Sequence, residues 1–98
     1  MIETIKDDIK LVFGKNLKYY RIEKNLTQME FAELADISVK TLSDIERVIY
    51  GTSLERIATF AKILKIEPYL LIKYNEEHFK TPDRLDKHTG ARRKRTKH

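Results

Sequence analysis

The sequence predicts an all-α bundle of about five helices, on three observations. Apolar residues recur at three- and four-residue steps through most of the chain. Thr, Ser and Pro residues suited to starting helices stand just ahead of several of those runs. No stretch shows the strict alternation, or the Asn-Gly and Asp-Gly turns, of a β hairpin. A length of 98 residues suits one domain, and 41% hydrophobic content fills one small core.

Ile2, Ile5, Ile9, Val12, Phe13, Leu17 and Tyr20 line one face of a first helix. Lys24 and Asn25 end it, because a cation suits the negative end of the helix dipole and Asn tolerates the left-handed conformation common just past a helix. Thr27-Gln28-Met29-Glu30 reads as a capping box opening a second helix, with Phe31, Leu34 and Ala35 as its apolar stripe. Asp36 ends that helix at a position of expected positive φ, and Ser38 opens the third two residues later. Leu42 and Ile45 face inward, while Val39, Lys40, Ser43, Asp44 and Arg47 fall on the other side. Gly51-Thr52-Ser53 is a turn, and Ser53 caps a fourth helix whose core positions are Leu54, Ile57, Phe60, Ala61 and Leu64. Pro68 fits the first turn of a fifth helix running through Leu71 and Ile72 towards Tyr74, and Thr81-Pro82 suits one more short turn. From about residue 87 onward nothing is apolar enough to fold.

The net charge of +5 sits mainly at the C-terminal end: residues 1–74 carry 12 basic and 11 acidic side chains, residues 75–98 carry 8 and 4. Arg92, Arg93, Lys94, Arg95 and Lys97 form a basic block, which reads either as a solvated end or as an arm adding phosphate contacts. Without cysteine, a disulfide scaffold, a thiol nucleophile and any Cys-ligated metal are excluded. The apolar runs are too short to cross a bilayer, and the acidic start does not resemble a signal peptide, so no membrane association and a cytoplasmic location are expected. His78, His88 and His98 lack metal-ligand spacing and read as surface or tail histidines. Asp7-Asp8 and Glu76-Glu77 read as solvated surface, and three scattered glycines cannot build a phosphate-cradling loop. No enzyme, metal or cofactor is expected.

The second and third helices, about eight and nine residues joined by a turn of about three, have the dimensions of a helix-turn-helix. Ala32 lies where the two helices approach, and Ile37 points inward from the turn. From about Phe13 to Ile72 the chain resembles the phage-repressor and Cro-type regulators, the XRE family. The landmarks are Leu17, Arg21, Leu26-Thr27-Gln28, Phe31-Ala32, Ile37-Ser38, Thr41-Leu42-Ser43, Ile45-Glu46-Arg47, Ser53-Leu54-Glu55 and Ala61-Lys62-Ile63-Leu64. The family usually has Gly where this chain has Asn25, Asp36 and Val48. Asn and Asp tolerate positive φ, whereas a β-branched Val resists it, so the exit from the third helix is expected to be reshaped, with the helix running on through Ile49. The loop 48–52 carries no Lys or Arg, which weakens one expected set of phosphate contacts.

The resemblance implies a compact five-helix repressor-type helix-turn-helix domain with a basic C-terminal tail. It divides into an N-terminal extension of helix one over 1–12, a DNA-binding domain over 13–74, and a charged extension over 75–98, disordered from about 87. It implies a homodimeric, bacterial or phage transcription regulator that binds double-stranded DNA and acts as a repressor, with the helix at 38–47 in the major groove. By position, Ser38, Val39, Lys40 and Asp44 would read bases: Lys40 at guanine O6 and N7, Val39 at a thymine methyl, Asp44 at a cytosine amino group. Thr27, Gln28, Thr41, Ser43 and Arg47 would contact the backbone, and Lys18 more weakly. Against this, Gln28 and Ser38 also suit helix starts for capping alone, and Lys40 and Arg47 also suit ordinary solvated surface. Arg21 and Glu46 match the family's internal salt bridge, which sets the tilt of the third helix. Ile66, Tyr69, Leu70, Tyr74 and Phe79 form a candidate dimer surface, or simply close the core. Two other readings stay open: an interaction module, such as an antitoxin that binds a partner protein, and RNA binding through Arg92–Lys97.

Overall fold

The computed structural model describes residues 8–80. Four α-helices run Ile9–Glu23 (α1), Gln28–Ala35 (α2), Val39–Glu46 (α3) and Leu54–Leu64 (α4), followed by two single 3-10 turns over Pro68–Leu71 and Glu76–Lys80. The expectations for Ile2, Ile5, Thr81-Pro82 and the basic block lie outside the described residues.

Each α-helix starts on a side-chain cap. Asp8 Oδ1 accepts from the Leu11 amide at 3.2 Å, Ser38 Oγ from Thr41 at 2.9 Å, and Ser53 Oγ from Arg56 at 3.1 Å. Asp8 is therefore a helix cap rather than a merely solvated acid. At α2 both halves of the capping box form: Thr27 Oγ1 accepts from the Glu30 amide at 3.0 Å, and Glu30 Oε1 from the Thr27 amide at 2.9 Å.

The four helix exits also share one geometry. Asn25, Asp36, Val48 and Lys65 have φ near +60°, and none is glycine. At each exit that residue's amide donates three residues back, and the next amide donates five back, as in Val48 N to Ile45 O (3.0 Å) and Ile49 N to Asp44 O (2.8 Å). The expectation that Val48 would refuse this conformation is corrected: α3 ends at Glu46 and Val48 sits at φ 65°. The two exit hydrogen bonds and close packing over Gly14 outweigh the torsional cost. A Cβ at Gly14 would lie 2.9 Å from Ile45 O and 3.2 Å from Val48 Cγ2, so glycine is what lets α1 approach the end of α3 this closely. Val48→Gly is expected to raise stability by about 0.5–1 kcal/mol, because the torsional strain it releases exceeds the apolar packing it removes. A shift in urea midpoint measures the change.

The core joins Phe13 and Leu17 of α1, Phe31 and Ala32 of α2, Leu42 and Ile45 of α3, Phe60, Ala61 and Leu64 of α4, and Leu71. Phe60 lies at its centre, stacked on Phe13 (6.3 Å between ring centroids) and edge-on to Phe31 (5.3 Å). α3 packs on α1 and α2, α4 packs on α2 and the 68–71 turn, and α1 holds both 3-10 turns.

Three core expectations are corrected. Leu34 is exposed because the core face of α2 is centred between Phe31 and Ala32, and at about 100° per residue Leu34 points away from it. Leu54 is exposed because it begins α4 one turn before Ile57, the first residue of that helix to pack on the core. The expected fifth helix is a 3-10 turn. The Asn16 amide donates to the carbonyls of Leu70, Leu71 and Lys73, which ties the chain after the turn to α1.

Candidate nucleic-acid interface

The helix-turn-helix is seated from beneath by one buried arginine. Arg21, on the inner face of α1, is fully buried. Its Nε donates to Glu46 Oε2 at 2.7 Å and its Nη2 to Glu46 Oε1 at 3.0 Å, a two-pronged ion pair between α1 and the last residue of α3. Nη1 donates to Leu26 O at 2.7 Å, in the segment between α1 and α2. Gln28 closes the network, its Nε2 donating to Glu46 Oε1 at 3.1 Å. One planar guanidinium thus fixes α1, the start of α2 and the end of α3 relative to one another.

With α3 held in this way, its outer face carries Ser38, Val39, Lys40 and Arg47, all exposed, with Thr41 and Ser43 half-buried. Ser38 caps the helix and also donates from its hydroxyl to Thr41 Oγ1 at 2.9 Å. The charged ends of this face are Lys40 and Arg47.

Three placements differ from the sequence reading. Asp44, expected on the outer face, is buried: its short side chain lies beneath longer neighbours one turn away on either side, with Oδ2 3.0 Å from Lys40 Nζ and Oδ1 3.9 Å from Arg47 Nη1. Gln28 has its amide turned inward to Glu46. Thr27 is buried and committed to the capping box.

The candidate dimer residues lie in the segment after α4. Tyr69 is exposed; Ile66, Leu70, Tyr74 and Phe79 are half-buried, with Ile66 packed on the core. Tyr74 and Phe79 pair at 5.4 Å between ring centroids.

His78 is not a surface histidine. It is buried, stacked on Tyr19 at 3.8 Å, with Nδ1 2.6 Å from Asn16 Oδ1. Because the Asn16 amide nitrogen is spent on three carbonyls, its oxygen faces His78 and can only accept, so Nδ1 carries the proton. Burial holds the imidazole below its usual value, with Glu23 and Glu77 opposing more weakly. The folded state therefore binds this proton less readily than the unfolded chain. The stability linked to His78 is present above the unfolded value, about 6.5, and is lost as pH falls through the lower folded value. Urea midpoints are expected to drop between about pH 7.5 and pH 5.5, and His78→Gln is expected to flatten that dependence. Sequence reasoning misses Asn16 and His78 as an anchoring pair. The one signal for it is an amide among the inward residues of α1, three after Phe13 and four before Tyr20.

A buried arginine latch, a short helix, a turn through Asp36 and a second short helix presented outward define a helix-turn-helix DNA-binding module. A family model described as helix-turn-helix matches residues 17–71, over half the chain, and the chain belongs to that family, the phage-repressor and Cro-type (XRE) regulators. It is a DNA-binding transcription regulator, and its partner is double-stranded DNA. It is 32% identical over 69 residues to control protein C.BamHI of Bacillus amyloliquefaciens, covering 69% of this chain and 85% of that one. It is 39% identical over 57 residues to the immunity repressor protein of Bacillus phage phi105, covering 58% of this chain but 40% of that longer protein. The crystal structure of a hypothetical transcription factor, NHTF from Neisseria, shares the fold, with a TM-score of 0.70 and 24% identity over 82% of this chain and 92% of that one. No described helix is long and apolar enough to cross a membrane.

Proposed function

We propose that the protein is a cytoplasmic, sequence-specific repressor that binds an operator as a homodimer, by occupancy rather than catalysis, with α3 in the major groove. The observation that carries this reading is the outward presentation of Ser38, Val39 and Lys40 at the start of a helix whose seat is fixed by Arg21 and Glu46. In this reading Lys40 reaches guanine O6 and N7, and Val39 meets a thymine methyl. Thr41, Ser43 and Arg47 hold the backbone, and Gln28 serves chiefly to support Glu46. The relatives named as a control protein and an immunity repressor support regulation by binding. A dimer would double the contacts across two half-sites, using the surface of Ile66, Tyr69, Leu70, Tyr74 and Phe79. The domain spans 13–74, preceded by the opening of α1 from Ile9 and followed by a charged extension over 75–98.

Selection from random-sequence duplex tests specificity and dimerisation together: an enriched inverted repeat is expected, and recovery of no preferred sequence would contradict the reading. On the selected site Lys40→Ala is expected to lose about 1–3 kcal/mol and to relax preference at one position. Equal weakening on every duplex would make Lys40 a phosphate contact.

A further inference from the structure

Besides Glu46, which Arg21 holds, α3 has a second carboxylate that is neither exposed nor free. The Asp44 side chain is 7% exposed, and its two oxygens face two cations whose own side chains are 82% (Lys40) and 67% (Arg47) exposed. An ion pair with such exposed partners adds little to stability, so stability does not account for a buried acid on this face. Base reading does not account for it either: extending to a base edge would take the carboxylate from both cations and bring it towards phosphates that repel it.

We propose that Asp44 is a positioning residue that sets specificity, acting as an internal competitor that keeps Lys40 from binding any phosphate indiscriminately and weakens the hold of Arg47 on the backbone. This rests on the reading of α3 as the DNA-facing helix. The chemistry follows from donor counts. The Lys40 ammonium has three N–H donors; one held by Asp44 at 3.0 Å leaves two, the number needed for O6 and N7 of a single guanine. The specific contact is thus compatible with the ion pair and is oriented by it. A phosphate, by contrast, meets a cation already neutralised, so non-specific contact gains less from released counterions.

The test compares the wild type and Asp44→Asn on the selected operator and on a scrambled duplex across a salt series. Asn keeps the shape and removes the charge. Asp44→Asn is expected to bind the scrambled duplex about three- to tenfold more tightly at low salt. Its slope of log affinity against log salt should steepen by about one unit or more, and the operator preference should narrow. In a Lys40→Gln, Arg47→Gln background the same substitution is expected to change none of these. Asp44→Ser, neutral and smaller, must give the same signs. Unchanged slope and preference in Asp44→Asn, or an effect that persists without both cations, would overturn the proposal while leaving wild-type operator binding intact. Loss of operator affinity with no gain on scrambled duplex would overturn it in favour of a direct base contact. A wild type with no preference for any duplex would overturn the DNA-facing reading itself, and this proposal with it.

Discussion

Arg21→Ala lowers the free energy of unfolding by about 3–5 kcal/mol, because it leaves Glu46 as a buried charge without its partner. The guanidinium is fully buried, and its two bonds to Glu46 and one to Leu26 O are lost together. Gln28 donates to the same carboxylate and cannot neutralise it. Chemical unfolding of the variant measures the loss directly. Removing both charges at once, as Arg21→Met with Glu46→Leu, is expected to recover much of that stability, since two apolar side chains of similar size avoid the desolvation of a pair. DNA affinity in the double variant should stay reduced, because the apolar pair has no directional bonds to fix the end of α3. Recovered stability together with recovered affinity would show that the ion pair has no part in holding that helix in pose.

Asn16→Ala is expected to cost about 2–4 kcal/mol, as several buried polar groups lose their partner together. The side chain is fully buried, its nitrogen serves the carbonyls of Leu70, Leu71 and Lys73, and its oxygen accepts from His78. The loss should be local before it is global. Amide hydrogen exchange should accelerate first over the two 3-10 turns, while α2 and α3 keep their protection. An even loss of protection across the domain would show that the C-terminal turns are not anchored separately.

What is legible in the sequence follows the physics of short range. The caps of α2, α3 and α4 are readable because one side chain and one amide three residues on settle them. Asp36 and Asn25 at positive φ are readable for the same reason, from residues that tolerate it. The Arg21–Glu46 pair spans 25 positions and is legible only through the family resemblance. The failures share a different cause. The torsional preference of Val48 argues against positive φ, whereas the close approach of Gly14 and two exit hydrogen bonds decide its conformation. His78 and Asn16 meet across 62 positions; the inward amide on α1 signals a buried polar site, but nothing local names His78 as its partner. A Pro start and apolar spacing predict a fifth helix; a side chain from α1, 55 and 57 positions away, instead holds the carbonyls of Leu71 and Lys73. Helical angle alone puts Asp44 on the outer face, and it does not register cover by Lys40 and Arg47.

In this reading the outward face of α3 is the surface that meets DNA. Titrating the isotope-labelled protein with its selected duplex, and following backbone amide shifts residue by residue, tests it most directly. The largest changes are expected on residues 38–43 and Arg47, with Asn16 and His78 little affected. Changes confined to Tyr69, Tyr74 and Phe79, with α3 unmoved, would contradict it.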